Sequence, residues 1–279
     1  MQKIDGIKDL TGRDPIGAAV RCGEKGSQGY PINTDMFYIV QPREENGRRN
    51  PHPLFKQFNE APKDHRKVIR GNLVHQRINA CFEHYLKAQA PKGSSHPNKV
   101  PFCTGDGEKA IRWMKKDADD FQEIKCSHSL CEYRLTKPPM CKPFARLLFR
   151  LRWKEGSSLP TPLVKFTTGS WNTVANLKGF FDYVLGVAND AGIKDPKLFG
   201  LPFILTLAMQ NKPSEQTRFP VVTITPEIKD PVDFFREQGE RLQQIAEMQN
   251  NISALPETVE TLEDSTLIET YEDTRIINV

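Results

Sequence analysis

Long apolar runs are missing from this chain: none approaches the eighteen or so uninterrupted apolar residues that a membrane-spanning helix requires, and no charged start near Met1 leads into an apolar stretch. The expectation is a cytoplasmic protein with no membrane partner. Signatures of hydrolysis are missing as well. There is no Gly-x-Ser-x-Gly, no His-rich site with an open metal position and no convincing pair of carboxylates at a strand end. Gly105-Asp-Gly-Glu-Lys lacks the Gly-Lys-Ser/Thr ending of a phosphate loop. No catalytic residue is therefore expected. Cysteine is sparse, six in 279 residues. In a reducing compartment that number points to metal or free thiols rather than to a disulfide framework.

What is present suits a soluble globular chain. Hydrophobic residues make up 38%, and the length allows one large domain or two modest ones. The net charge of +4 hides an asymmetry. Residues 257–279 carry Glu257, Glu260, Glu263, Asp264, Glu269, Glu272 and Asp273 against Arg275 alone, which leaves 38 Lys and Arg against 28 Asp and Glu in the body, about +10. A basic body suits nucleic acid or an acidic protein surface, and an acidic tail can compete with such a ligand. The division expected is a single α+β domain over residues 1–250 and an acidic flexible tail over 251–279.

Four of the six cysteines fall together: Cys103, then after twenty-two residues Cys126, after four Cys131 and after nine Cys141. A loop this rich in Lys, Pro and Ser buries too little apolar surface to hold one shape, and a tetrahedral thiolate site can supply the missing order. Residues 103–141 are thus expected to be a structural zinc insertion, with His128 able to replace one thiol. The plainer reading is four unrelated reduced cysteines acting as small hydrophobes. Cys22 and Cys81 stand alone.

The clearest strand lies beyond Cys141. Ala145, Leu147, Phe149, Leu151 and Trp153 alternate with Arg146, Leu148, Arg150, Arg152 and Lys154, an apolar face opposite a basic one. Cations every second residue stand ~6.6 Å apart, close to the spacing of phosphates. Arg48 and Arg49, in a proline-broken loop at 41–53, join them as candidate nucleic-acid or partner contacts. Residues 163–168 read as the returning strand of a hairpin. Ser170 reads as the N-cap of a helix that stops at Gly192, with Trp171 in its first turn and expected to be buried, exposure to a base or a partner being the alternative. Two strands follow at 203–209 and 219–225, then a helix opening at Asp230 and Pro231. Residues 78–88 fit a helix or a strand, Ala110 to Met114 a short helix, and 91–99 a mobile loop.

The order of these features resembles the phage recombination directionality factor-like family. The resemblance is carried by Gly29, Pro31, Asp35 and Phe37, by Cys-x-Gly-Asp-Gly at 103–107, and by the later cysteines leading into the basic strand. Thr-Gly-Ser with its helix at 168–190 and Leu-Phe-Gly-Leu-Pro-Phe-Ile-Leu at 198–205 complete it, over about residues 4–245. The loop at 91–99 and the acidic tail depart from the pattern. The best-known members bind a large serine integrase and redirect it from integration to excision without catalysis of their own, and some members are described as hydrolase or metal-binding. The resemblance implies an integrase partner, DNA held by that integrase, a bacterial host cytoplasm and structural zinc. The alternative is a zinc-containing single-stranded DNA-binding protein of phage replication or recombination. Under the two readings the fold is α+β, mainly antiparallel sheet or an OB-like barrel, with a cysteine-rich zinc loop and two well-marked helices.

Overall fold

A computed structural model of the chain describes residues 16–25, 31–42, 50–88, 102–114, 121–127, 131–136, 140–152, 162–211 and 218–253. Among these, eleven strands and five helices occur in the order β1 (Ile16–Lys25), β2 (Pro31–Val40), α1 (Lys56–Asn59), β3 (Val68–Leu73), α2 (Ile78–Cys81), β4 (Phe82–Ala88), β5 (Cys103–Gly105), β6 (Lys109–Trp113), β7 (Phe121–Lys125), α3 (Glu132–Leu135), β8 (Cys141–Leu151), β9 (Leu163–Thr168), α4 (Trp171–Asp190), β10 (Pro202–Asn211), β11 (Arg218–Pro226) and α5 (Pro231–Ser253). The chain divides into two units, residues 1–239 and 240–279. Of the second unit, only residues of α5 are described.

The alternation read from the sequence becomes β8, whose odd residues are buried and whose even residues are half-buried or exposed. One edge of β8 is filled by β9 along residues 145–150. The other edge is shared: β4 pairs with residues 141–147 and β3 with residues 149–151. The sheet therefore forks at β8. One branch runs β3-β10-β11, a second β4-β5-β6-β7, and a third passes from β9 to β1 and β2. Every pairing is antiparallel except β1 with β9.

The sheet stays open, so the OB-like barrel is not the architecture. Strand β2 lies against β10 and β11 without pairing with either. The reason is visible in the backbone groups at two sheet edges. Asn59 holds the outer edge of β2, its Oδ1 accepting from Ile39 N at 2.9 Å and its Nδ2 donating to Ile39 O at 2.7 Å. On β11, Val222 N donates to Thr173 Oγ1 at 3.1 Å and Val222 O accepts from Asn176 Nδ2 at 3.1 Å. Side chains thus take the groups a closing ladder would need, which also blunts these edges against foreign strands.

Helix α4 covers the apolar face of the fork. Phe181 stacks on Phe82 with ring centroids 4.9 Å apart, and Phe180 meets Phe203 edge-on at 6.4 Å. Ser170 does occupy the N-cap position, though its side chain makes no capping bond, and Gly192 turns the chain after the helix at φ +75°. Asp230 caps α5, its Oδ1 accepting from Val232 N at 2.8 Å. Trp171, expected to be buried, is 42% exposed with the Arg134 guanidinium 5.6 Å from its ring centre.

Two further expectations change. Ala110 to Met114 is not helical: residues 109–113 form β6, laddered between β5 and β7, with Ile111 turned outward and 56% exposed. Residues 78–88 divide into one helical turn, α2, and then β4. The loop at 91–99 and the tail beyond 253 lie outside the described residues.

Two substitutions test this account. A Cβ at Gly71 would stand 2.6 Å from Phe149 Cδ2 and 3.1 Å from Arg150 O. Gly71→Ala should cost about 1–3 kcal/mol by overpacking the fork, read as a lowered denaturation midpoint. Thr173→Val leaves the Val222 N–H without its acceptor and should cost about 1–3 kcal/mol in the same measurement.

Candidate functional site

The second branch of the fork brings the four clustered cysteines to one place. Cys141, the first residue of β8, pairs with Ala88; Ala88 pairs with Cys103; and Cys103 pairs with Arg112. Directly opposed residues of a sheet point to the same side, so Cys141, Cys103 and Arg112 share a face with only the Ala88 methyl between the two thiols. Cys126 follows β7 at once, its N–H donating to Glu108 O at 2.8 Å. Cys131 occupies the N-cap of α3. The β5–β6 turn is closed by Asp106, whose Oδ1 accepts from Glu108 N and Lys109 N at 2.8 Å each, with Gly107 at φ +110°.

All four thiols line one cavity of about 300 Å³ together with Arg112, Lys125, Glu132 and Tyr133. Arg112 lies 3.9 Å from the Cys131 Sγ, with its guanidinium 4.8 Å from the centre of the Tyr133 ring. Tyr133 packs edge-on against Phe102 at 5.2 Å, and Phe102 against Trp113 at 6.2 Å. Burial, reinforced by the charges of Cys131, Cys103 and Cys126, pushes the Cys141 thiol up to about 11. Burial raises Cys103 too, against the pull of Arg112. The thiols line the cavity without yet forming a coordination sphere: among the described residues no three His, Cys, Asp or Glu side chains stand close enough together to hold a metal.

The basic strand face lies on the side of β8 away from α4. Arg146, Arg150 and Arg152 all project there, joined by Lys142 on the same strand, Lys87 opposite it, Lys165 opposite Leu148 and Arg70 beside Arg152. Among the described residues, Glu83 and Glu227 enter this array. Arg146 is paired with Glu83, and Glu227 bridges Arg152 and Arg70, the latter at 2.8 Å. Aromatic side chains share the face, with Tyr85 and Phe144 rings 4.9 Å apart and the Lys87 ammonium 4.0 Å above Phe144.

A family model described as Gp3-like, recombination directionality factor-like, matches residues 11–227. That span holds all eleven strands of the forked sheet and all four clustered cysteines. The chain belongs to the recombination directionality factor-like family. No curated protein and no solved structure matches it. Helix α5 and the acidic tail lie beyond the part that the family model covers.

In this family member, then, Cys103, Cys126, Cys131 and Cys141 meet at one cavity, and Arg146, Arg150 and Arg152 share one sheet face. Lys154, Arg48, Arg49 and His128 lie outside the described residues. Sequence reasoning missed Arg112, Tyr133, Glu83 and Glu227. Strand pairing brings Arg112 to the thiols, and Glu227 is 157 residues from Arg70, so no local pattern announces either. Since Glu227 is a half-buried carboxylate between two guanidiniums, Glu227→Gln should lower stability by about 1 kcal/mol, an effect that shrinks as salt is raised. Urea denaturation at two ionic strengths reads it.

Proposed function

We propose that this recombination directionality factor-like protein is a non-enzymatic accessory of phage or mobile-element DNA recombination. It binds a large serine integrase, the DNA that the integrase holds, or both, and favours excision. Family membership supports the general role, and the cation-rich open face of the sheet supports the mode of contact. On that face Arg70, Lys87, Lys142, Arg146, Arg150, Arg152 and Lys165 outnumber Glu83 and Glu227. A face of this charge attracts phosphate or an acidic protein surface.

The mechanism follows from linkage. An accessory protein redirects an integrase only by binding one synaptic arrangement more tightly than the other. Reversing a 99:1 preference takes about 5.5 kcal/mol of differential affinity. Such a contact must discriminate shape, and an ordered sheet face held by ion pairs presents a fixed shape. The location of this activity is the bacterial host cytoplasm; among the described residues no helix is long and apolar enough to cross a membrane.

The test is a gel-shift and anisotropy titration of the full chain against single-stranded and duplex DNA, with and without the integrase. A shifted integrase–DNA complex, with little binding to either DNA alone, is the expected result. Tight binding to single strands without any effect on integrase would replace the proposal with the replication reading. Arg150→Ala should weaken the ternary complex. If Arg150 meets a phosphate of duplex DNA, the plot of log affinity against log salt should also become less steep by about 0.9.

A further inference from the structure

We propose that Cys103, Cys126, Cys131 and Cys141 hold one zinc ion as a four-thiolate structural site that fastens the β5–β7 branch and α3 to the first residue of β8. The four donors come from four separate places in the fold, β5, the end of β7, the N-cap of α3 and the start of β8, yet all line one cavity. Unrelated thiols acting as small hydrophobes have no reason to converge from four segments on a cavity that also holds Arg112, Lys125 and Glu132.

The surroundings match the chemistry of such a site. Four thiolates around a divalent ion leave two negative charges in excess; Arg112 and Lys125 line the same cavity to offset them in part, with Glu132 3.4 Å from Arg112. Arg112 already sits within 3.9 Å of the Cys131 sulfur. Ala88, the residue that separates Cys141 from Cys103 across the rung, carries the smallest side chain with a Cβ, so nothing bulky stands between the two thiols. Ligation requires the sulfurs to turn inward across the cavity to about 2.3 Å from the ion. Soft sulfur donors in fours select zinc or an iron–sulfur cluster over hard cations.

The described residues of β5–β7 and α3 bury little apolar surface. Among them the buried apolar side chains are Phe102, Ala110 and Trp113, and β7 is half-buried or exposed along its length. Strand β5 is three residues long. A metal contributes its binding free energy to folding in just such a segment. Four closed ligands leave no position for an activated water, so the role is structural.

The experiment uses the full chain, purified under reducing conditions, and does not depend on the integrase reading. Elemental analysis should find about one zinc per chain. After zinc is removed by chelation, cobalt added to the same protein should give thiolate-to-metal charge-transfer bands and the visible bands of a tetrahedral site, which zinc then abolishes. Hydrogen exchange of amides in β6 and β7 should speed up on zinc removal while β10 is unchanged. Cys131→Ser should lose the bound metal and Cys22→Ser should keep it; where Cys131→Ser fails to fold, the cobalt titration of the wild-type chain decides. No zinc and no cobalt bands, with the thiols titrating as reduced, would overturn the proposal. So would iron and sulfide in place of zinc.

Discussion

A β-strand has two edges, and β8 must serve three neighbours with them. Its backbone meets that constraint by giving one edge to β9 and dividing the other between β4 and β3. The fork is what brings distant parts of the chain together. The cysteine branch leaves from the start of β8, the β10–β11 branch from its end, and the N-terminal strands hang from β9. The two faces of β8 then take different duties because side chains alternate. Leu147 and Phe149 go under α4, while Arg146 and Arg150 go to the open side. A one-residue slip in register would exchange core and basic face together.

How much of this could be read from the sequence depended on whether the controlling signal was local. The alternation of 145–151, the apolar stripe from Val174 to Ala188, and Asp230-Pro231 are local patterns, and each became the expected element. Residues 109–113 carry no such pattern. Ile111 is exposed on a strand, and that strand exists because β5 and β7 flank it. Trp171 was expected in the core because it is large and apolar, but a first-turn position beside Arg134 satisfies it at the surface. The fork itself has no sequence signature, since it depends on which edges are already taken. The convergence of the cysteines was foreshadowed by their spacing, whereas their neighbour Arg112 came from pairing across strands.

The open face is less simple than a row of cations. Glu83 and Glu227 hold three of its arginines in place. Ordered guanidiniums lose less side-chain entropy on binding, but a partner that takes one of them must compete with a carboxylate already there. Such a face favours a partner whose charges match the fixed array over any polyanion of sufficient charge density.

The parallel pairing of β1 with β9 sets a condition on synthesis. Ile16 meets Leu163, 147 residues later in the chain. The β1–β2 hairpin therefore leaves the ribosome with Ala18, Val20, Phe37 and Ile39 uncovered, and its partner strand does not yet exist. At roughly 5–20 residues per second the wait lasts roughly 7 to 30 s. During that interval the nascent chain carries an apolar hairpin with an unpaired edge. Asn59, made long before β9, holds only the outer edge of β2, so the β1 edge stays open until Leu163–Thr168 has been made.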